Sequence, residues 1–394
     1  MKRFFLLITL FVIGSSSLFA AQLQLSQEER NILESERIDS IRTIAVKMDF
    51  VRHVGRNAKK AIPHDGPTIN ICVVNSPNYQ GLGEIRGSIK GNKLTDLKAI
   101  TVGKTVLDLL DPTTLLVKEE YRELDIPIYD LIGIILNKPV YMLFGTPNKE
   151  RVRCYSGMIY MEDLEFEKKK DGNKKIVEIC KFDYDYGYRD LKIKLGRGGL
   201  WMEREEGLKR DIEIVKLIHK KFPDVRLLVD PNDAYTVEET IYFMEKIKPI
   251  EFYWFEEPFE ENEADYKIFR EWQRKNAPTM LLADGETDGN KAQLLKLGEA
   301  DLIDVVLQDI IGFGFTNWIE YIEELKARGM TGSPHNWGTL TKNFYSAYLA
   351  MAIGGIDIVE GVTSSSKMLD FGDYSIKDGY FIPSNRAGFG IILK

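Results

Sequence analysis

Ionisable residues fall at regular intervals in the carboxyl-terminal two thirds of the 394-residue chain. Each one follows a short apolar segment, as in "LKIKLG", "LLVDPN", "FYWFEEP", "LLADGE", "VVLQD", "SPHNW" and "DIVEG". In chain order these residues are Lys194, Asp230, Glu256, Asp284 or Glu286, Asp309, His335 and Glu360. Carboxylates, a lysine and a histidine are the groups that bind cations and transfer protons, so the series predicts a catalytic centre if the fold brings the segment ends together.

The acids on three consecutive segments indicate a cation site. In a partly buried site they cannot all stay ionised unless a positive charge lies between them. A hard divalent cation supplies that charge. Ligation by oxygen alone favours Mg²⁺, with Mn²⁺ as a substitute, over zinc.

The basic residues indicate proton transfer. Lys192 and Lys194 lie two residues apart and share a face, so each is expected to lower the pKa of the other, and a lysine with a lowered pKa can act as a general base. Asp309 and His335 end neighbouring segments, as needed for a carboxylate to orient an imidazole. Together with a cation, these groups predict abstraction of a proton next to a carboxylate.

The elements that must position these residues are alternating strands and helices. From about residue 151 onward, eight strand-like runs, beginning with "RVRCYSGM", are separated by amphipathic stretches such as "MEREEGLKRDIEIVKLIHKKF". This alternation predicts an α/β fold, a (β/α)₈ TIM barrel, in which the carboxyl ends of all strands meet at one mouth. Both faces of a barrel strand are buried, so the pattern does not choose between Glu256 and Glu257. Nor does it choose between Asp284 and Glu286, which share a face.

Composition and the amino terminus narrow the function classes. The net charge of −7 and the absence of a basic stripe argue against a nucleic-acid partner. Three scattered cysteines predict buried small side chains rather than disulfides or a zinc site. Residues 1–21 have the basic start, apolar run and small residues of a signal peptide, which predicts export to a periplasm and no membrane attachment after cleavage. An uncleaved anchor is the alternative, because Leu18 or Phe19 stands where a small residue is preferred.

From about residue 40 to its end, the chain resembles the enolase superfamily, in the mandelate racemase-like subgroup of the mandelate racemase and muconate-lactonising family. The segments that carry the resemblance are "IPIYDLIGIILNKPVYMLFG", "KIKLGRG", "VDPN", "WFEEP", "ADGE", "QDIIGFGFTNW" and "SPHNWG". The resemblance implies an α+β capping domain over residues 39–150, completed by about residues 370–394, and a barrel over residues 151–369. It also implies a homo-oligomer.

The resemblance assigns roles to individual residues. It implies that Asp230, Glu256 and Glu286 bind the metal, although Asp284 is a departure that bears on the third ligand. It implies that Lys194 is the catalytic lysine with Lys192 as its modulator, that Asp309 and His335 form a dyad, and that Glu360 hydrogen-bonds the substrate carboxylate. Residues expected to contact the substrate are His53 and Arg56 of the lid segment, "DFVRHVGRNAKK" at residues 49–60, with Trp201 and Asn232.

The function predicted from these features is that of an acid-sugar dehydratase, which removes the proton beside a carboxylate and then eliminates water. A racemase or epimerase of a hydroxy or sugar acid is the alternative, because it uses the same lysine and histidine. A barrel glycoside hydrolase fits less well, since it would need a carboxylate where His335 ends the seventh strand.

Overall fold

The computed structural model describes residues 23–60, 62–287 and 289–394. The predicted signal peptide, residues 1–21, lies outside these described residues. Cys72, Cys154 and Cys180 are buried and free, as the sequence predicts. No helix among the described residues is long and apolar enough to cross a membrane.

The amino-terminal part is a small antiparallel sheet covered by helices. Strand β1 (Ser40–Lys47) pairs with β3 (Thr68–Asn75), which pairs with β4 (Gln80–Ile85), and the short β2 covers Asp49–Phe50. The helices are α1 (Gln27–Ser35), α2 (Asn92–Thr101) and α3 (Asp125–Ile135), with 3₁₀ turns at Leu107–Leu109, Glu119–Leu124 and Val140–Met142. A Cβ added at Gly83 would lie 2.6 Å from the Pro127 nitrogen, so this glycine lets α3 pack closely on β4.

Eight parallel strands form the second part. They are β5 (Val152–Ile159), β6 (Asp190–Lys194), β7 (Arg226–Asp230), β8 (Phe252–Glu256), β9 (Leu281–Asp284), β10 (Val305–Val306), β11 (Thr331–Gly332) and β12 (Ile358–Gly361). Each pairs with the next from β5 to β11, β12 pairs with β5, and a parallel bridge joins Gly332 to Ile356 just before β12. The strands therefore follow one another around a ring, which confirms the predicted barrel with an α+β capping part.

Helices connect the barrel strands on the outside. They are α4 (Lys169–Tyr186), α5 (Arg197–Leu200), α6 (Arg204–Lys221), α7 (Val237–Ile247), α8 (Glu263–Asn276), α9 (Lys291–Glu299), α10 (Ile310–Phe313), α11 (Phe315–Lys326) and α12 (Leu340–Ile353), with a 3₁₀ turn at Glu162–Glu165. Polar caps start several of them: Thr236 and Glu239 form a reciprocal capping box on α7, and the Thr339 side chain caps α12. Such caps fix where each strand-to-helix loop ends.

The carboxyl-terminal segment joins the two parts. Strand β13 (Ser364–Ser365) pairs with β2, β14 (Leu369–Asp370) pairs with β17 (Ile392–Leu393), and the hairpin of β15 (Ser375–Lys377) and β16 (Tyr380–Ile382) lies antiparallel beside β5. The Phe389 amide also donates to Asp130 of α3 at 2.6 Å. The segment thus contacts both α3 and the barrel, while the exact domain limits stay a prediction.

Apolar side chains fill the barrel interior next to the ionisable strand ends. Tyr155, Leu228, Trp254, Ala283, Val305, Leu307 and Ile358 form one buried cluster. Leu228, Trp254 and Ile358 each precede a site acid by two residues, so they point to the same face one step deeper in the barrel. The chemistry is therefore confined to the mouth.

Candidate active site

Three carboxylates converge at the barrel mouth. Asp230, Glu256 and Glu286 each offer an oxygen, and these three oxygens lie within 4.8 Å of one another. The Asp230 and Glu256 side chains are buried, and the second Glu286 oxygen, Oε2, is buried without a hydrogen-bond partner among the described residues. A set of oxygen donors with an unpartnered oxygen fits a hard divalent cation such as Mg²⁺.

The backbone separates the roles of Glu256 and Glu257. Glu257 has a φ of +37°, a left-handed conformation that is strained for a residue with a side chain. Its carboxylate turns to the neighbouring loop, where it accepts from the Thr287 amide at 2.6 Å and the Asn232 side chain at 3.3 Å. Burial and nearby acids raise the Glu257 pKa to about 8. Only Glu256 of the pair therefore joins the cluster.

Asp284 and Glu286 are separated as clearly. The Asp284 carboxylate accepts from the Tyr266 hydroxyl and, at 2.6 Å, from the Gly285 amide. Burial, together with the charges of Glu261 and Glu257, raises its pKa well above the usual value. The structure thus places Asp284 against α8 and Glu286 in the cluster.

Both lysines of β6 contact the carboxylates. Lys192 Nζ lies 2.6 Å from Glu256, 3.2 Å from Glu360 and 3.4 Å from Asp230. Lys194 Nζ pairs with Asp230 and lies 3.9 Å from Glu286 Oε2. Burial lowers the pKa of Lys194, but Asp230 and Glu286 outweigh burial and raise it above the usual value. Lys192 lowers the Lys194 pKa, as expected, but the surrounding acids contribute more than this one like charge, so the net shift is upward and the expected net depression is not found.

His335 lies on the other side of the cluster. Its Nδ1 is 3.1 Å from Asp309 Oδ2, and its Nε2 is 3.2 Å from Glu286 Oε1. Burial lowers the His335 pKa, but Glu286 and Asp309 raise it to about 10, which favours the protonated ring near pH 7. Nε2 forms no well-directed hydrogen bond with any described residue, which makes it the nitrogen available to a substrate.

Lys342 is a site residue that the sequence analysis missed. Its Nζ lies 2.7 Å from Asp309 Oδ2, the same oxygen that contacts His335. The other oxygen, Oδ1, accepts from the Ile311 and Gly312 amides at 2.9 and 2.6 Å. Lys342 is the one charged residue of α12 and lies in its first turn, where the helix dipole makes a cation unfavourable. This unfavourable position is the sequence signal that indicates a specific partner for Lys342.

Glu360 is held beside Lys192. Besides the contact with that lysine, its Oε2 accepts from the Asn336 amide at 2.8 Å. A Cβ added at Gly157 on β5 would lie 2.2 Å from Glu360 Oε1. Glycine at position 157 therefore leaves the room that this carboxylate occupies.

The lid segment is tied to the barrel mouth. Arg52 Nη2 lies 2.7 Å from Asp183 Oδ2, the Trp201 indole donates to the Asn57 carbonyl at 2.9 Å, and Lys59 Nζ lies 2.6 Å from Asp233. These contacts hold the segment against α4 and against the loops that follow β6 and β7. Arg52 and Lys59 of the lid thus neutralise acids of the protein itself.

The four expected substrate contacts are placed differently from one another. His53 Nε2 lies 2.7 Å from Glu165, with 43% of its side chain exposed, so it is turned to an outer loop. Arg56 lies over the Trp201 ring, 4.9 Å from its centroid. Asn232 follows Asp230 and keeps a buried Oδ1 without a partner among the described residues. Asn232 is therefore the one that lies next to the carboxylates, and all four substrate roles stay predictions.

An aromatic wall, formed by Tyr160, Trp337 and His64, borders the site and was also missed. Tyr160 and Trp337 stack with centroids 4.6 Å apart, and His64 meets both rings edge-on. The Tyr160 ring centroid lies 5.7 Å from Lys194 Nζ. Histidine 64 follows the lid segment in "IPHDG", where no neighbouring motif indicates a site.

Fold and site together define a class: a (β/α)₈ barrel with three strand-end carboxylates between a lysine and a histidine. The chain belongs to the enolase C-terminal domain-like family, whose model matches residues 176–394. The resemblance to the enolase superfamily noted from the sequence is thus confirmed.

Solved structures and one curated relative narrow the comparison. A galacturonate dehydratase from Geobacillus sp., complexed with D-galacturonate and 5-keto-4-deoxy-D-galacturonate, is 29% identical with a TM-score of 0.84, covering 92% of this chain and 95% of its own. A mandelate racemase/muconate lactonizing protein from Geobacillus sp. Y412MC10, complexed with magnesium and tartrate, is 29% identical with a TM-score of 0.86, covering 95% and 96%. The arabinonate dehydratase of Saccharolobus solfataricus is 24% identical over 284 residues, 68% of each chain.

Proposed function

We propose that this protein is a Mg²⁺-dependent acid-sugar dehydratase. The observation that carries the proposal is that Lys194 and His335 flank one carboxylate of the cluster, with nitrogens 3.9 and 3.2 Å from the two Glu286 oxygens. Two proton-carrying groups therefore face one point from different strands. The names of the similar proteins support a hydroxylated carboxylic acid as substrate.

The reaction breaks a C–H bond beside the substrate carboxylate and a C–O bond at the next carbon. Water leaves, and the enol that remains becomes a 2-keto-3-deoxy acid. A divalent cation held by Asp230, Glu256 and Glu286 would supply positive charge that offsets the charge developing on the substrate carboxylate.

The protein's own groups divide the proton transfers. His335, protonated and oriented by Asp309, gives a proton to the departing hydroxyl. Lys194 takes the proton from carbon once it has lost its own. Lys192 is buried beside Glu360 and adds positive charge near the substrate carboxylate.

The test combines a substrate screen with one variant. Purified Mg²⁺-loaded protein is incubated with aldonic, aldaric and uronic acids, and the dehydrated keto acid is detected by mass. With the substrate found, His335→Asn is expected to lower turnover by about 10² to 10⁴. His219→Asn, in the last turn of α6, is the matched control and is expected to leave turnover unchanged. Wild-type turnover by His335→Asn would show that the dyad assignment is wrong.

Epimerisation is the second candidate, because Lys194 and His335 could also act as two bases. In D₂O a dehydratase consumes its substrate, whereas an epimerase returns it with deuterium at the inverted carbon. His335→Asn separates the roles: if Lys194 takes the proton, elimination stops while deuterium still enters the substrate. If His335 takes it, both signals disappear.

A further inference from the structure

His64 lies where it can contact a molecule in the site. Its amide donates to the Val54 carbonyl at 2.9 Å, which fixes it to the lid segment. Its ring meets Tyr160 at 4.8 Å and Trp337 at 5.2 Å between centroids. The Lys194 ammonium lies over the Tyr160 ring, and Trp337 is two residues beyond His335 in the sequence. His64 thus belongs to an aromatic wall that contacts Lys194 and continues into the segment that carries His335.

The hydrogen bonds of His64 determine which nitrogen carries the proton. Its Nδ1 is 3.2 Å from Lys60 Nζ. An ammonium group only donates, so Nδ1 accepts and the ring proton is on Nε2. Burial, with the charges of Lys60 and Lys194, lowers the His64 pKa to about 4, which keeps the ring neutral near pH 7.

The Nε2–H group of His64 lacks an acceptor. Nε2 is buried and finds no hydrogen-bond partner among the described residues. A buried donor without an acceptor is unfavourable, and a ligand oxygen would relieve that cost.

We propose that His64 is a specificity-determining residue whose Nε2–H, oriented by Lys60, donates to a distal oxygen of the substrate, one beyond the carboxylate and its neighbouring carbon. The inference rests on the proposed function, because it requires a polyhydroxylated acid in the site. It extends that function by assigning recognition of the carbon chain to a residue outside the barrel.

Two variants separate the Nε2 donor from the rest of the ring. His64→Gln keeps an N–H group near the Nε2 position, whereas His64→Asn reaches only the Nδ1 position. The probes are D-galacturonate, which carries distal oxygens, and glycolate, which consists of the carboxylate and one hydroxylated carbon. Binding to the Mg²⁺-loaded full chain is measured by calorimetry, and a thermal melt of each variant checks its folding.

The expected result is selective. His64→Asn should weaken D-galacturonate binding about threefold to tenfold, the size of one lost hydrogen bond, and leave glycolate unchanged. His64→Gln should restore most of the D-galacturonate affinity. Lys60→Met should give a smaller loss, because the ring can then place its proton on either nitrogen.

Two outcomes overturn the inference in different ways. Equal D-galacturonate affinity in wild type and folded His64→Asn would reject the role of His64 and leave the dehydratase proposal intact. A wild-type protein that binds neither D-galacturonate nor any other aldonic, aldaric or uronic acid would reject the proposed function and this inference with it. Loss of glycolate affinity in His64→Asn would also reject the proposed specificity role of His64, because it would show that the residue supports the site as a whole.

Discussion

Removing one cluster carboxylate should abolish the effect of Mg²⁺ on thermal stability. Glu256→Gln deletes a charged oxygen donor from the set of three but keeps the size of the side chain. The two Glu256 oxygens accept from Lys192 at 2.6 Å and from the Trp254 indole at 3.0 Å, and the single amide oxygen of Gln keeps one of these two hydrogen bonds. The variant is therefore expected to fold and to lose cation binding.

The size of the effect follows from linkage. A ligand at 100 times its Kd stabilises the native state by about 2.7 kcal/mol. Unfolding entropy of about 2.1 cal/mol/K per residue gives roughly 0.8 kcal/mol/K for a chain of this length, so the expected rise in wild-type Tm is about 3 °C. Glu256→Gln and Glu286→Gln should show a rise near zero.

Asp284→Asn is the matched control. It also replaces a buried strand-end acid, but one that contacts Tyr266 rather than the cluster, so its Mg²⁺-dependent rise should equal that of wild type. Each variant is melted by scanning calorimetry with Mg²⁺ and with chelator, and only the difference between the two melts is compared. The reasoning is refuted if Glu256→Gln keeps the full rise, or if Asp284→Asn loses it while Glu286→Gln keeps it.

Three further predictions use other parts of the chain. Arg197 is buried, with its two Nη atoms 2.6 Å from Asp163 and from Asp211. Arg197→Met should lower the unfolding free energy, measured by urea denaturation, by about 3–5 kcal/mol. Arg204→Met removes an exposed ion pair and should lower it by at most about 1 kcal/mol. Burial raises the Asp130 pKa to about 7, so the native state keeps this proton after the unfolded chain has released it, and the resulting stabilisation falls as pH rises from about 4 to 7. The unfolding free energy of Asp130→Asn should therefore increase relative to that of wild type between about pH 4 and 7, and parallel curves over that range would contradict this. If the protein is exported, mass spectrometry of the native protein should find an amino terminus between about residues 18 and 24. An intact Met1 on a cytoplasmic protein would contradict export.

The barrel and its strand ends could be predicted because each depends on local pattern. Apolar runs that end in an ionisable residue and alternate with amphipathic helices specify a parallel barrel, and the barrel then places those residues at one mouth. The choice between Glu256 and Glu257 could not be predicted, because it depends on the positive φ of Glu257 and on the loop amide at Thr287. The choice between Asp284 and Glu286 depends on Tyr266, a residue of the preceding helix.

Lys342 and His64 were missed for a related reason. Lys342 belongs to α12 and contacts Asp309 at the start of α10. His64 belongs to the capping part and contacts Lys60 and the Tyr160 ring. Neither residue lies at a strand end, so a prediction based on strand ends does not include them. Their signals were a lone lysine in the first turn of an otherwise uncharged helix and a histidine beyond the lid segment, and both become informative only with the fold.

The lysine pKa links the metal prediction to the mechanism. Sequence neighbours suggested that Lys192 would make Lys194 a better base, yet Asp230 and Glu286 hold the Lys194 pKa above its usual value. Lys194 can accept a proton only after losing one, so those acids must first be offset by positive charge. A divalent cation shared by the same acids would repel the ammonium and lower its pKa. The carboxylates that bind the cation would thus also decide whether Lys194 is a base, and a cluster variant should lose proton abstraction even where the substrate still binds.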